Sequence, residues 1–377
     1  MMKPIPFNKP YFPASGTVAF IRAGLSGSIS GNGKYTRLCN AFFETAYGFR
    51  KALLTTSCTD ALEMAALLSG IRPGDEVIMP SYTFVSTANA FLLRGAVIRF
   101  ADTLPDIPNI DPEAIRSLIT PKTRALVTVH YSGIACDMDP VMQMARDHDL
   151  LVTEDAAHGI DSFYKGRPLG SIGHFGTFSF HETKNIFCGE GGLLAVNDPE
   201  SVQRAEIIWE KGTNRAAFYR GETDQYGWVD IGSSFLPSDA LAAFLYSQLQ
   251  ILGRIQLKRK KIWDWYHGDL QPAEQAGYLK RPAVPEYATV NGNMYFIRVS
   301  GAGERDRLIG YLKRMGINAV FHYPPLHSSL YFRPLHDGRE LPNTDRFSAS
   351  IIRLPFFYGL KRSQVRTITA AIATYFK

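Results

Sequence analysis

Seven short apolar runs alternate with helical stretches through the first 200 residues of a 377-residue chain, and that alternation narrows the folds open to it. The runs are "KALLTTS", "DEVIMPSYTF", "AVIRFAD", "RALVTVHY", "LLVTEDAAH", "GTFSFH" and "GGLLAVND". Segments such as "TDALEMAALLSG", "VSTANAFLLRG" and "DPVMQMARDHD" stand between them, the last with apolar residues at helical spacing. Strands that are apolar on both faces and separated by helices predict a mainly parallel sheet, covered on both sides. "GGLLAVND" follows closely on "GTFSFH", so the sheet is expected to include an antiparallel member.

From Ser238 a helical pattern runs through "SDALAAFLYSQLQILGRIQLKRKKIWDWYHGDL". Ala240, Ala243, Phe244, Ser247 and Ile251 form one stripe, and the "KRKK" run at 258–261 reads as a solvated face. This helix is expected to leave a large domain and enter a small α+β unit made from "MYFIRVS", "RDRLIGYLKRMG", "NAVFHYP" and "RSQVRTITAAIATYF". The chain is too long for one simple core. The expected division is residues 1–250 and 251–377.

Composition excludes several classes. With 45% hydrophobic and 20% charged residues the chain is globular, not disordered. No apolar run reaches the roughly 18 residues of a membrane span, so no membrane partner is expected. The start, "MMKPIPFNKPYFP", lacks an apolar secretory core, which points to the cytoplasm. Cys39, Cys58, Cys136 and Cys188 lie far apart, as reduced thiols do, with neither a disulfide framework nor a metal-site spacing. The net charge of +6 comes from residues that are scattered apart from "KRKK", whereas a nucleic-acid binder usually concentrates them on one face; the mild positive balance suits a small anionic substrate equally well.

Four features carry chemistry. "LLVTEDAAHG" places Asp155 at the end of a buried parallel strand, where open α/β sheets bind ligands. A carboxylate buried there needs a cation or donors. Lys184 follows the apolar "FSF" run and precedes "CGEGG", a position where a desolvated amine could attack a carbonyl. "LLTTSCTDALEMA" sets Ser57, Cys58 and Thr59 at a helix start, which forms an anion site. Tyr82 and Phe84, in "PSYTFVSTANA", offer aromatic faces at a strand end. Each also has an ordinary reading: Asp155 as a helix cap, Lys184 as a surface cation, Thr59 or Asp60 as an N-cap, the aromatics as core. Together, lysine, acid, phosphate cradle and aromatic are the parts that hold pyridoxal 5'-phosphate.

In these motifs, and in "VHYSGIACDMD", "FSFHETKN", "GEGG", "HYPPLH" and "RLPFFYGL", the chain resembles the sugar-nucleotide aminotransferases of fold type I over nearly its whole length. The resemblance implies a mainly parallel seven-stranded sheet in a large domain, a small C-terminal α+β domain, and a homodimer with active sites at its interface. It implies that Lys184 forms the Schiff base and moves the proton, and that Asp155 pairs with the pyridine nitrogen. His158 would approach the ring hydroxyl. Ser57, Cys58, Thr59 and Ser179 would hold the phosphate, and Phe84 would stack on the ring. Ser234 stands where many relatives carry an Asn that reaches the other subunit's phosphate. The implied substrates are L-glutamate and a dTDP-linked ketosugar. Asn214, Arg215 and Arg220 are candidates for the diphosphate, and Tyr323 and His327 for the sugar. A dehydratase of the same family would often carry His in place of Lys184.

Overall fold

A computed structural model describes residues 4–27 and 29–377. The apolar runs form one sheet: β1 Lys51–Thr55, β2 Glu76–Pro80, β3 Val97–Ala101, β4 Thr123–Val129, β5 Leu151–Asp155, β6 Phe175–Ser179 and β7 Gly192–Val196. Their spatial order is β1-β7-β6-β5-β4-β2-β3. β7 is the expected antiparallel member and pairs with both β6 and β1; the other pairings are parallel. Residues 125–129 of β4 are all buried, as a strand covered on both faces requires.

This topology brings the C-terminal ends of β1, β4, β5 and β6 to one edge. Asp155 lies beside Thr177 in the β5–β6 register, two residues before Ser179. The helix that follows β1, Cys58–Leu68, buries Ala61, Leu62, Met64, Ala65, Ala66 and Leu68. Its N-cap is Ser57, whose Oγ accepts from the Asp60 N–H at 3.1 Å, rather than Thr59 or Asp60.

The long pattern after Ser238 is two helices, Asp239–Leu249 and Leu252–Asp269, not one. The chain turns at Gln250 and Ile251, where the Ile251 N–H donates to the Gln248 carbonyl. The first residues of the second helix, Leu252 and Ile255, belong to the core under the large sheet. Ile262, Trp263 and Tyr266 belong to a second core with Tyr295, Leu312 and Ile368. The segment around Ile5, counted with residues 1–250, packs into the second core and bridges to Ile317. Among the described residues that second unit carries a two-stranded sheet, β8 Phe296–Arg298 and β9 Ile351–Arg353, against helices Ala302–Arg314 and Arg362–Tyr375.

The basic run is not simply a solvated face. Arg259 is 3% exposed. Its guanidinium donates to the carbonyls of Gly292 and Asn293, both at 2.8 Å, and packs over the Phe356 ring. A buried arginine persists because such donors are satisfied.

Candidate active site

A cavity of about 490 Å³ opens at the sheet's C-terminal edge. Val129, Asp155 and Ser179, from the ends of β4, β5 and β6, line it, with Ser57, Cys58 and Thr59 from the helix start. Phe84, His158 and Lys184 complete the large-domain wall, and Asn293, His322, Tyr323 and Arg353 come from the C-terminal unit.

Strand alternation separates the two neighbouring acids. Glu154 turns away from the cavity. Its carboxylate bonds His130 Nε2 at 2.9 Å and accepts the N–H groups of Gly170, Ile172 and Gly173. Burial favours its neutral form, but His130 and the backbone donors outweigh that and hold its pKa below the usual value. Asp155 faces the cavity. Thr87 Oγ1 donates to its Oδ2 at 2.7 Å, and the Ala157 N–H donates to its Oδ1 at 3.1 Å. Burial still pushes its pKa up. Two donors orient the carboxylate, while the remaining desolvation cost favours a cationic ligand.

Lys184 sits in a turn whose backbone is fixed by neighbours. Its N–H donates to the His181 carbonyl at 2.9 Å. The next residue, Asn185, donates to Gln256 Oε1 and the Asn291 carbonyl, and accepts from Asn293 Nδ2 at 3.0 Å. Arg259, on the same helix as Gln256, grips the carbonyls of Gly292 and Asn293. The buried arginine of the basic run therefore helps hold the lysine turn. Burial lowers the Lys184 pKa to about 8, with the Arg353 charge adding to that effect. An amine with that pKa is partly neutral near physiological pH, as a nucleophile and proton carrier must be.

The cradle depends on a close backbone approach. A Cβ on Gly192 would stand 2.4 Å from the Ser57 carbonyl carbon and 2.5 Å from the Cys58 nitrogen. Gly192 thus admits β7 against the cradle turn. Thr59 Oγ1 donates to Ser86 Oγ at 2.8 Å, which ties the cradle to the helix Val85–Leu92.

His158 is buried and its pKa is driven well below the usual value, first by burial and then by the charges of Lys184, His322 and Arg353. The Ser132 N–H donates to its Nδ1 at 3.3 Å, so the neutral ring carries its proton on Nε2. Phe84 is 55% exposed at the cavity and lies 6.1 Å from Tyr323, centroid to centroid. Tyr82, by contrast, is buried behind the wall and donates its hydroxyl to the His322 carbonyl.

Other expected site residues fall elsewhere. Tyr323 lines the cavity, but His327 does not: its Nδ1 bonds Ser81 Oγ at 2.9 Å and its Nε2 lies 3.5 Å from Asp345. It fastens the C-terminal unit to the end of β2. Asn214 closes its own loop, donating to the Gln225 carbonyl and accepting from the Gly227 N–H. Arg220 is already paired with Glu206 and Glu222 at 2.8 and 2.7 Å, and Arg215 lies over the Tyr219 ring. These three, and the exposed Ser234, lie outside the cavity of their own chain. Thr87, Asn293, His322 and Arg353 are cavity residues that the sequence reading did not assign. Thr87, His322 and Arg353 stand in "STANA", "HYPPLH" and "RLPFFYGL", which were the available signals; Asn293 stands in none of these motifs.

The donor set fits pyridoxal phosphate. It offers an anion cradle at a helix start, an oriented acid, an aromatic face, a neutral imidazole donor and a lysine of lowered pKa around one cavity. Known structures share this architecture. The aminotransferase TlmJ from Streptoalloteichus hindustanus is 28% identical with a TM-score of 0.90, over 99% of this chain and 100% of that one. Spr1654 from Streptococcus pneumoniae, a putative sugar aminotransferase solved in PLP and PMP forms, is 26% identical over 98% of both chains, with TM-scores of 0.89 and 0.90. An aminotransferase from Psychrobacter cryohalolentis reaches a TM-score of 0.92 at 27% identity, over 98% of this chain and 99% of that one. The family signature matches residues 17–373, and the chain belongs to the DegT/DnrJ/EryC1/StrS aminotransferase family.

Proposed function

We propose that this pyridoxal phosphate-dependent sugar aminotransferase moves the amino group of L-glutamate to C4 of dTDP-4-dehydro-6-deoxy-D-glucose. The product is dTDP-4-amino-4,6-dideoxy-D-galactose, a precursor for cell-surface polysaccharide of the enterobacterial common antigen type. One observation carries the reading: Lys184, the oriented Asp155 and the Ser57–Thr59 cradle converge on one cavity. The sugar assignment is supported by "FHETKN", "EKGTNR" and "DIGSSFLPSD", which resemble that branch of the family.

Bound pyridoxal phosphate supplies an aldehyde that accepts amines and a ring that takes up the electron pair left when a proton departs the adjacent carbon. The residues of the chain do the rest. The first-turn N–H groups at Cys58 and Thr59, with Ser57 and Ser179, would hold the phosphate. Asp155, fixed by Thr87 and Ala157, would pair with the protonated ring nitrogen. His158 would donate from Nε2 to the ring hydroxyl oxygen, and Phe84 would offer its face to the ring. Lys184 removes the proton from the donor carbon and returns one to the sugar carbon in the second half. Donor and ketosugar use the cavity in turn, so ping-pong kinetics follow.

Two copies form a homodimer with the cavities at its interface. Ser234, exposed and outside its own cavity, is then available to the phosphate in a second copy, and Asn214, Arg215 and Arg220 to the nucleotide diphosphate there. Tyr323 closes over the sugar. The enzyme works in the cytoplasm, where its four unpaired cysteines stay reduced.

The test is product analysis. Incubation with L-glutamate and the ketosugar, followed by NMR, is expected to show nitrogen at C4 in axial orientation. Equatorial nitrogen, or nitrogen at C3, refutes the galacto assignment.

A further inference from the structure

The turn that offers Phe84 to the cavity also carries two buried hydroxyls, Thr83 and Thr87, 1% and 0% exposed. They stand on either side of the start of the helix Val85–Leu92. Its N-cap, Phe84, has no side-chain oxygen with which to close the first turn. The Phe84 carbonyl accepts the Thr87 N–H at 3.2 Å, and Thr83 Oγ1 lies 2.8 Å from Thr87 Oγ1.

That pair alone does not fix which hydroxyl donates. Asp155 decides it. Thr87 has one hydroxyl proton, and it goes to Asp155 Oδ2 at 2.7 Å. Toward Thr83, then, Thr87 accepts and Thr83 donates. The chain runs one way, from Thr83 through Thr87 to Asp155. Hydrogen bonds in such a chain polarise one another, and each is stronger where water is excluded. Burial pushes the Asp155 pKa up, and the Thr87 hydroxyl is the largest influence opposing it. The relay therefore favours the carboxylate, the form that pairs with a protonated ring nitrogen.

The same turn is tied to the anion cradle. Thr59 Oγ1 donates to Ser86 Oγ at 2.8 Å. Ser86 and Thr87 are consecutive, so one residue holds the cradle and the next holds the acid. Cradle and acid have to stand a fixed span apart to meet the phosphate and the ring nitrogen of one coenzyme. A local staple of the helix start accounts for the Thr83–Thr87 pair. It does not account for the extension of that pair to Asp155.

We propose that Thr83 is a positioning residue for Asp155. It acts through Thr87, keeping the carboxylate charged and aimed at the coenzyme's ring nitrogen. This assignment rests on the pyridoxal phosphate reading of the cavity.

The experiment titrates the coenzyme-free parent and its T83V, T83S, T87V and T83V/T87V variants, read by protein fluorescence. Two ligands are compared: pyridoxal phosphate, and its analogue with carbon in place of the ring nitrogen. The analogue keeps phosphate, aldehyde and hydroxyl but gives Asp155 nothing to pair with. T83V is expected to weaken pyridoxal phosphate binding by about 3- to 10-fold, and T87V, which removes the direct donor to a charged group, by about 10- to 100-fold. T83S restores the donor and is expected to stay within about twofold of the parent. The double variant is expected to match T87V, because Thr83 has no route to Asp155 without Thr87. Analogue binding is expected to stay within about twofold in every variant. T83A removes the same donor with less bulk and is read in place of T83V if that variant misfolds. Equal weakening of both ligands overturns the proposal in favour of a structural role or a direct contact. A double variant weaker than T87V by the full T83V factor overturns action through Thr87. If the parent binds no coenzyme, the reading of the cavity itself fails; if it does and T83V binds pyridoxal phosphate as tightly, only the Thr83 assignment fails.

Discussion

Lys184 and Asp155 face each other's charge across one cavity, and each responds to burial in the direction that favours its neutral form. For Lys184 the consequence for stability has a definite sign. In the coenzyme-free protein its pKa is about 8, below the unfolded value of about 10.4. Between those values the unfolded chain binds more protons, so this group makes stability rise with pH across that window. Lys184→Met is therefore expected to raise the melting temperature near pH 7 and to lose that advantage progressively by pH 10. A constant difference between the two proteins contradicts the lowered pKa. Asp155→Asn keeps the shape but removes the charge; its Oδ1 can still accept from the Ala157 N–H, while Thr87 Oγ1 must turn to accept from Nδ2. It is expected to cut turnover by about 100-fold or more, as loss of a preorganised electrostatic partner does, with the melting temperature nearly unchanged. Near-normal turnover removes Asp155 from the mechanism. Both residues were legible because each follows an apolar strand. Arg353 was not assigned a role because its register partner, Phe296, lies 57 residues away (353 − 296) and its place in the cavity appears only once the second unit is folded.

At the scale of elements, the cradle exists because β7 carries no side chain where it passes Ser57. Gly192→Ala places a methyl against backbone, which cannot rotate aside. Overpacking of this kind costs about 1–3 kcal/mol. Because the displaced atoms form the anion site, coenzyme affinity is expected to fall by at least about tenfold, read by fluorescence titration of coenzyme. Unchanged affinity shows that the cradle does not bear the phosphate. Arg259 works at the same scale. Arg259→Met leaves two buried carbonyls without donors and is expected to destabilise by about 2–4 kcal/mol in urea unfolding, and to loosen the Lys184 turn. Loss below about 0.5 kcal/mol contradicts its buried role. The seven strands were readable because apolar runs between helices admit few alternatives. The break at Gln250 was not, since the apolar stripe continues past it and only the meeting of two cores turns the chain there. The "KRKK" run misled for a related reason: charge alone does not reveal which residue faces a neighbouring loop.

At the scale of the molecule, the sheet delivers acid and hydroxyl, and the second unit delivers Arg353, His322 and Tyr323 to close the cavity. The surface carries a further clue. Val18, Phe20, Ile21 and Leu25 lie exposed on one N-terminal helix, and Trp228, Val229 and Ile231 on the loop before Ser234. Apolar exposure of this kind marks association surfaces. Equilibrium sedimentation is expected to give twice the mass of one chain, and a single-chain mass contradicts the proposed dimer. The fold class and the motifs of the site were legible because they are contiguous in sequence. His327 was misplaced because "HYPPLH" turns back on itself, sending Tyr323 to the cavity and His327 to Ser81. The most direct test of the central claim is to load the protein with pyridoxal phosphate, reduce it with borohydride and map the peptides by mass spectrometry. The account predicts coenzyme mass on the peptide containing Lys184 and loss of that label in Lys184→Met; label on another lysine, or none, contradicts it.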